Sequence, residues 1–193
     1  MYGECDADII FESTPFGRHY NDYSMTKVVN EVQIQNFREQ FGNLVMIPRF
    51  FNAYGPGEFY TPYRSVVCLF CYRALFDIPY QVYKNYHRVV MYIGDFIPTL
   101  ANCADRFQDG LFVNIGGNEY LSVEEISNFI LNYLHKSDSL VEYIPSSEHN
   151  VRNKRPDITI AERLLGHEPK VKIQEGVIKT IEWMRETYNV PNK

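Results

Sequence analysis

Tyr23 and Lys27 are the residues whose types and spacing most directly suggest chemistry. They lie four positions apart in the stretch DYSMTK, residues 22–27. On a helix, both side chains would project from one face, one turn apart. A phenol, with an ordinary pKa of about 10, is a poor base near neutrality, but an ammonium held beside it favours the phenolate. Such a pair can exchange a proton with a substrate hydroxyl. The structural alternative is a packed tyrosine and a lysine extended into solvent.

The helix that must carry this pair is predicted to run from residue 22 to about Gln40 and to end at Gly42. The apolar run 44–51 follows, and its length predicts a short strand buried on both faces. The turn-rich stretch 52–58 then lies at the carboxyl end of that strand, the edge where open α/β sheets bind ligands. The apolar residues of the helix are spaced for one buried face, formed by Met25, Val28, Val29, Val32 and Phe37.

The rest of the chain alternates between predicted helices and strands, which indicates an α/β fold. A capping box from Ser122 to Glu125 opens one helix. A hydroxyl cap followed by proline predicts another helix that starts at Thr61 and ends near Asp77, and Asp95 is predicted to cap a third. The remaining elements are strands within 80–93, 111–115 and 140–144 and a final helix over 173–188.

Composition argues against several classes of function. The 193 residues carry a formal net charge of −5, whereas nucleic-acid binding depends on a broad basic surface. No apolar run reaches the roughly 20 residues that span a bilayer, and the N-terminus lacks signal-peptide features. We therefore predict a cytoplasmic protein with no nucleic-acid or membrane partner. Cys68 and Cys71 have zinc-ligand spacing, but no second pair or histidine cluster accompanies them, which predicts buried reduced thiols and no metal site.

The segment 49–56 reads RFFNAYGP and resembles the RxxNxYGP signature of the extended short-chain dehydrogenase/reductase family. The branch that it resembles contains the NAD-dependent sugar-nucleotide epimerases and dehydratases. Tyr2-Gly3 fits the Tyr-Gly pair that precedes the catalytic tyrosine in these enzymes. The resemblance covers essentially the whole chain, because further segments match in the right order: 88–95 the RDFxYVxD segment, 114–125 the NxG…(S/T)xxE segment, and 157–183 the D…A…LG…P…EG…W ending.

One part of the family pattern is not found in this sequence. The family begins with a βαβαβ half whose glycine-rich turn lets the backbone approach the NAD pyrophosphate. Here the stretch 55–57, Gly-Pro-Gly, lacks the third glycine, and the family's catalytic serine or threonine would fall before Met1. We therefore expect the C-terminal part of such an enzyme. Residues 1–57 would end a Rossmann-type doubly wound sheet, and residues 58–193 would form mainly a smaller α/β substrate-binding domain, with one strand or helix returning to the sheet. The chain alone is expected to bind NAD weakly and to be inactive.

The resemblance also implies roles at the cofactor. Tyr23 would be the catalytic acid/base, and Lys27 would hold the nicotinamide ribose and favour the phenolate of Tyr23. The backbone near Phe51 would face the nicotinamide ring. A homodimer is expected, because the tyrosine-bearing helix of the family joins an intersubunit helix bundle.

Three residues are candidates to bind a nucleotide-diphosphate sugar. Asn52 would hydrogen-bond the diphosphate or the sugar, with a plain turn residue as the alternative. Arg88 would grip the diphosphate, because a planar guanidinium can hold two phosphate oxygens at once; the alternative is a solvated strand-edge arginine. Arg152 would make a second phosphate contact, or else belong to a solvated basic loop. Asp157 is predicted to cap a helix, and His167 to be a partly exposed packing residue.

The resulting hypothesis is an NAD-dependent epimerase that oxidises C4 of a nucleotide-diphosphate sugar to a 4-keto intermediate. Two alternatives stay open. One is an NDP-hexose 4,6-dehydratase, which passes through the same keto sugar. The other is a non-catalytic truncated module that binds sugar nucleotides or a protein partner.

Overall fold

A computed structural model describes residues 1–5, 7–145 and 151–191 and shows the predicted α/β architecture. The helices are α1 Asp22–Phe41, α2 Val66–Leu75, α3 Ile93–Asp105, α4 Val123–Tyr133, α5 Thr159–Leu165 and α6 Ile173–Tyr188. The strands are β1 Ile47–Phe50, β2 Ala53–Tyr54, β3 Tyr80–Tyr83, β4 His87–Tyr92, β5 Phe112–Ile115, β6 Glu119–Ser122, β7 Val141–Ile144 and β8 Asn153–Lys154. None of the helices in the described ranges combines the length and apolar character needed to cross a membrane.

The strands form three small groups. β1 pairs in parallel with β5, and β3 pairs in parallel with β7. β4 pairs with β6 in antiparallel fashion and with β2 and β8 in parallel. The amide of His87 donates to the Arg152 carbonyl, and that of Met91 donates to the Asn52 carbonyl. Since alternate residues of a strand direct their backbone groups to the same edge, β8 and the start of β2 lie one after the other along one edge of β4.

Apolar side chains form one large core and two smaller clusters. The large core packs α2, α4 and α6 against β3 and β4, and its fully buried members include Val67, Cys71, Ile126, Ile130 and Ile181. A second cluster joins β5 to α3 and α5, and a small third cluster consists of Tyr2, Ile10 and Phe51. The β1–β5 pairing brings residues 112–115 back to the strand that follows α1, while the division of the chain at residue 57 stays a prediction.

α1 has the predicted bounds but not the predicted burial. The Asn21 side chain caps its first turn, and Gly42, with φ of 66°, ends it. Of the five side chains expected to be buried, Met25, Val29, Val32 and Phe37 are each 51–52% accessible and Val28 is half-buried. The periodicity was interpreted correctly as helical, but none of the described elements covers that face. Among the 20 residues of α1, all of which the structure describes, Glu31 alone is buried.

Three further expectations are corrected by local contacts. β1 is shorter than predicted and is buried on one face only, with Ile47 buried and Phe50 half exposed. α2 begins after Ser65 rather than at Thr61, because the Ser65 hydroxyl accepts from the Cys68 amide. Asp95 lies inside the first turn of α3 and does not cap it; its carboxylate accepts from the Val171 amide.

The predictions for the Ser122 capping box and for the two thiols are confirmed, whereas that for His167 is wrong. The capping box from Ser122 to Glu125 is present. Asp157 lies one residue before the N-cap of α5, which is Ile158, and its carboxylate accepts from the Thr159 amide and hydroxyl. Cys68 and Cys71 are buried free thiols. His167, expected to be partly exposed, is only 3% accessible. It is buried because its Nε2 lies 2.7 Å from the Gly116 carbonyl and its Nδ1 lies 2.8 Å from the Thr99 hydroxyl.

Candidate active site

A cleft of about 690 Å³ opens between the first turns of α1 and the carboxyl end of β1. Four of the six predicted site residues line it, namely Tyr23, Lys27, Phe51 and Asn52. The tertiary structure thus brings the YxxxK pair to the turn that follows β1, as the motif order predicted.

Tyr23 and Lys27 lie on the same face of α1. The Lys27 ammonium is 5.1 Å from the centroid of the Tyr23 ring, and Tyr23 is 73% exposed towards the cleft and solvent. Within the described residues, neither side chain makes a hydrogen bond or an ion pair with another protein group. The phenol is therefore available to a ligand, with a cation beside it.

Phe51 and Asn52 hold the turn after β1. The Phe51 amide donates to the Ile115 carbonyl at the end of β5 over 2.9 Å, and the ring is buried. Asn52 has φ of 39°, in the left-handed region that asparagine tolerates better than most residues. Its Nδ2 donates to the Val89 carbonyl over 2.9 Å, so the side chain fills the place of a strand partner between β8 and β2. The structure thus shows that Asn52 holds the turn after β1 against β4, and its contact with substrate stays a prediction.

Arg88 and Arg152 are not among the residues that line this cleft. Arg88 lies on β4, where its Nη1 donates to the carbonyls of His87 and Arg152 over 2.8 and 2.7 Å. Burial lowers the pKa of the Arg88 guanidinium from its ordinary value. Arg152 is exposed, and its backbone amide donates to the Glu4 carboxylate. Their contacts with a diphosphate stay predictions.

A buried polar network joins α1 to β1 and was not predicted from the sequence. The Arg49 guanidinium donates two parallel bonds of 2.8 Å to the Glu31 carboxylate. A further nitrogen of Arg49 donates to the Tyr2 hydroxyl over 2.7 Å, and that hydroxyl donates to the Asn114 amide oxygen over 2.7 Å. Both members of the ion pair are less than 10% accessible.

This network fixes the helix that carries Tyr23 and Lys27. Glu31 lies one turn after Lys27, on the side of α1 that meets β1. The guanidinium also packs on aromatic faces, with ring centroids 4.9 Å away at Tyr2 and 4.6 Å away at Phe112. The sequence signal for this network is Arg49, the first residue of the RxxNxYGP segment. A charged group on an otherwise apolar strand needs one.

Lys154 is a second residue of the cleft that was not predicted. It lies on β8 and lines the cleft together with Tyr23 and Lys27. Burial lowers the pKa of its ammonium to about 8, to which the nearby Arg88 cation contributes and which the Glu4 carboxylate opposes. No sequence pattern singled it out from its basic neighbours Arg152 and Arg155.

Comparison with known proteins places this chain in a family. A family model described as "GDP-mannose 4,6 dehydratase" matches residues 1–180. The UDP-N-acetyl-alpha-D-glucosaminuronate decarboxylase of Bacillus cytotoxicus is 28% identical over 174 residues, which are 86% of this chain and 54% of that protein. The chain spans about half the length of the curated relatives it matches.

Solved structures show the same fold. The UDP-glucose 4-epimerase of Thermotoga maritima, solved with UDP-glucose, is 26% identical with a TM-score of 0.86, covering 97% of this chain and 60% of that chain. The UDP-glucuronic acid 4-epimerase of Bacillus cereus, solved with UDP-glucuronic acid and NAD, is 23% identical with a TM-score of 0.84, covering 97% and 59%. The Rossmann-type α/β fold class is thereby confirmed. The chain belongs to the GDP-mannose 4,6-dehydratase family, within the sugar-nucleotide epimerases and dehydratases of the extended short-chain dehydrogenase/reductases.

Proposed function

We propose that this chain is the substrate-handling part of an NAD-dependent epimerase that acts on a nucleotide-diphosphate sugar through a 4-keto intermediate. One observation carries the proposal: Tyr23 and Lys27 share one face of α1 and line a cleft with Phe51 and Asn52. A phenol paired with a cation at the end of a parallel strand suits proton transfer to and from a sugar hydroxyl.

Each residue has a distinct part in this chemistry. The Tyr23 phenolate takes the proton from the 4-hydroxyl of the sugar and returns it after the sugar has turned. The Lys27 ammonium, 5.1 Å from the centroid of the Tyr23 ring, binds the nicotinamide ribose. NAD would supply the redox chemistry, accepting the hydride from C4 and returning it to the opposite face of the 4-keto sugar. Because the Tyr23 hydroxyl is not hydrogen-bonded to another described residue, it can approach either epimer without losing a protein contact.

The described residues fit the nicotinamide end of NAD. The cleft presents Lys27 and the backbone beside Phe51, which is held in place by its bond to β5. The sequence 55–57 does not fit the pyrophosphate: Gly55 has φ of 144°, and a Cβ there would lie 2.5 Å from the Ile93 side chain, so packing accounts for this glycine. We therefore expect the 193-residue chain to bind NAD weakly, and a micromolar affinity measured by calorimetry would contradict this.

Asn52, Arg88 and Arg152 are proposed to bind the nucleotide-diphosphate sugar. A guanidinium has five N–H donors, and the bonds of Arg88 to backbone carbonyls both use Nη1. Nη2 and Nε of Arg88 can therefore donate to phosphate oxygens without breaking those bonds. Arg152 would contribute from the exposed end of the same β4–β8 pair.

A second candidate is the decarboxylation of a nucleotide-linked sugar that carries a carboxylate on C5. The decarboxylase from Bacillus cytotoxicus favours it, since this chain aligns with that protein over 86% of its length. A 4,6-dehydratase, the activity named in the description of the matching family, is the third outcome. All three reactions begin with oxidation at C4 and would use Tyr23 and Lys27 in the same way.

Product analysis distinguishes these outcomes. The chain, alone and together with a co-expressed glycine-rich half from a family member, is incubated with NAD and either UDP-glucose or UDP-glucuronate. NMR spectra should show the C4 epimer of the substrate, and Tyr23→Phe should abolish its formation. A 4-keto-6-deoxy product would replace the epimerase with the dehydratase, and release of carbon dioxide would replace it with the decarboxylase.

A homodimer and a cytoplasmic location belong to the same proposal. The exposed apolar face of α1 supports association with a further apolar surface, because patches of this kind are uncommon on monomers. If equilibrium sedimentation found only monomers of a catalytically active enzyme, the homodimer would be wrong.

A further inference from the structure

His167 is a buried histidine to which the proposed chemistry gives no part. It follows Gly166, the residue that ends α5, and is 3% accessible. Its Nε2 lies 2.7 Å from the Gly116 carbonyl. Because a carbonyl can only accept a hydrogen bond, Nε2 carries a hydrogen and donates it. In the neutral ring, Nδ1 then accepts from the Thr99 hydroxyl, 2.8 Å away. The ring is therefore fixed from both sides.

The carbonyl that His167 holds belongs to the turn between β5 and β6, and this turn packs against a residue of the cleft. Ile115, at the end of β5, accepts a hydrogen bond from the Phe51 amide over 2.9 Å. A Cβ on the next residue, Gly116, would lie 3.3 Å from the Phe51 Cβ and 2.8 Å from the Pro156 ring. Gly116 thus lies directly against Phe51, which lines the cleft.

The turn depends on bonds from outside itself. It contains two adjacent glycines, Gly116 and Gly117, and glycine adopts the widest range of backbone conformations. The segment that follows α5 supplies two bonds to the turn. His167 donates to Gly116, and the Pro169 carbonyl accepts from the Asn118 side chain over 2.8 Å. Of these two bonds, the one from His167 acts on the glycine that lies against the cleft residue.

We infer that His167 is a positioning residue: through the Gly116 carbonyl it fixes the backbone at Phe51, against which we place the nicotinamide ring. The inference rests on the proposed function and adds to it a residue that is not among those lining the cleft. Hydride transfer is sensitive to displacements of about 1 Å. Loss of the bond to Gly116 should therefore slow the reaction more than it weakens binding of the sugar nucleotide, which other residues are proposed to hold.

Two variants separate the two bonds of the His167 ring. The amide nitrogen of glutamine lies as far along its side chain as Nε2, so His167→Gln can still donate to the Gly116 carbonyl. The amide nitrogen of asparagine lies only as far as Nδ1, so His167→Asn can reach Thr99 but not Gly116. His167→Phe, which keeps a ring but has no donor, replaces His167→Asn if circular dichroism shows that the latter does not fold.

His135→Asn is the matched control. His135 is an exposed histidine outside the cleft. Its φ of 54° lies in the left-handed region that asparagine tolerates. The same substitution is thus made where no contact with the β5–β6 turn is at stake.

Amide hydrogen exchange on the 193-residue chain is the first measurement, and it does not depend on activity. The Phe51 amide is bonded to Ile115, so its protection reports on this backbone. In His167→Asn, exchange at Phe51 should become roughly tenfold faster relative to the amides of α4, while His167→Gln and the control should stay within about threefold of the parent. Equal acceleration of the Phe51 and α4 amides would mean that His167 supports only global stability, and would overturn the inference.

Steady-state kinetics on the enzyme completed by a co-expressed glycine-rich half is the second measurement. His167→Asn should lower kcat by about tenfold or more and leave the KM for the sugar nucleotide within about twofold of the parent. His167→Gln should recover most of the lost kcat. An unchanged kcat in a folded His167→Asn enzyme would overturn the inference and leave the proposed function standing. Absence of turnover by the parent enzyme would contradict the proposed function instead, whereas selectively faster exchange at Phe51 would still support the hold of His167 on that backbone.

Discussion

The Glu31–Arg49 pair gives a sharp test of how α1, the helix that carries Tyr23 and Lys27, is held in place. Glu31 is the buried residue of α1, and Arg49 reaches it from β1 through two bonds of 2.8 Å. If this pair positions α1, replacing either partner should be far more damaging than replacing both. The test is a double-mutant cycle of Glu31→Met, Arg49→Met and the double variant.

The expected loss in the free energy of unfolding depends on which charged group each variant leaves buried without its partner. Glu31→Met leaves a buried guanidinium that keeps the Tyr2 hydroxyl and the Glu12 carbonyl as acceptors, so its cost should be about 3 kcal/mol, at the low end for a broken buried pair. Arg49→Met leaves a carboxylate without its cation and also removes the bond to Tyr2, at about 4 to 5 kcal/mol. The double variant replaces the pair with apolar chains and should cost only about 1 to 2 kcal/mol, because no buried charge is left unpaired.

Urea unfolding at pH 7 measures all four free energies, and Glu31→Gln serves as a milder variant if Glu31→Met does not fold. Hydrogen exchange supplies an independent signal: the amides of α1 should lose protection in Glu31→Met before those of α4 and α6, which are held by the large apolar core. The exposed Glu175–Lys179 pair, also a carboxylate and a cation, is the matched control and should show much weaker coupling.

Additive costs would refute this reasoning. Sites that act independently add to within about 0.5 kcal/mol. The values above differ from additivity by about 5 to 7 kcal/mol, more than the usual coupling of about 0.5 to 3 kcal/mol, because each single variant leaves a buried charge without its partner. If the double variant were as unstable as the sum of the single variants, the pair would not be the anchor of α1.

The remaining predictions concern other residues held by the fold. Lys154→Met should be more stable than the parent by about 2 to 3 kcal/mol at pH 7. Burial lowers the pKa of Lys154 from its ordinary 10.5 to about 8, so in urea titrations the stability difference between variant and parent should be full below pH 8 and vanish as the pH approaches 10.5. Gly176→Ala should lower the free energy of unfolding by about 1 to 3 kcal/mol or more, because a Cβ there would lie 2.0 Å from the Tyr54 hydroxyl. Tyr54→Phe, which removes a buried hydroxyl without a partner, should itself stabilise the fold by about 1 kcal/mol and should relieve part of the Gly176→Ala cost; a larger loss in the double variant would contradict this. The Arg38 guanidinium lowers the pKa of Asp109 from 3.8 to about 2. The contribution of the Asp109 carboxylate to folding stability should therefore be full above pH 4 and be lost as the pH falls through 2. When unfolding is followed at decreasing pH, Asp109→Asn should lack that loss of stability.

The YxxxK pair shows what local pattern can establish. Because α1 begins at an asparagine cap and ends at a left-handed glycine, its bounds were predictable from residues within a few positions of each end. The i, i+4 spacing then fixes Tyr23 and Lys27 on one face whatever else packs around the helix. The RxxNxYGP segment likewise predicted a turn at the end of a strand, since asparagine and glycine tolerate backbone that other residues avoid.

Burial could not be predicted in the same way. The apolar residues of α1 repeat with helical period, but whether such a face is covered depends on which elements lie against it, and none of the described ones does. The sequence predicts that His167 is partly exposed, yet its two ring nitrogens are hydrogen-bonded inside the protein, to the Thr99 hydroxyl and the Gly116 carbonyl. A polar residue can be buried once partners from distant segments reach it, and those partners leave no local pattern.

The features of the cleft also fall into two groups, those that local sequence determines and those that the tertiary structure determines. The sequence determined which helix carries Tyr23 and Lys27 and which turn faces them, because both depend on local spacing. Only the tertiary structure decided that Arg49 would bind Glu31 from a different element and that Lys154 would reach the cleft while Arg88 bonded to its own strand. These arrangements depend on strand register and on where β8 meets β4, and a register is set by pairing between segments far apart in the chain.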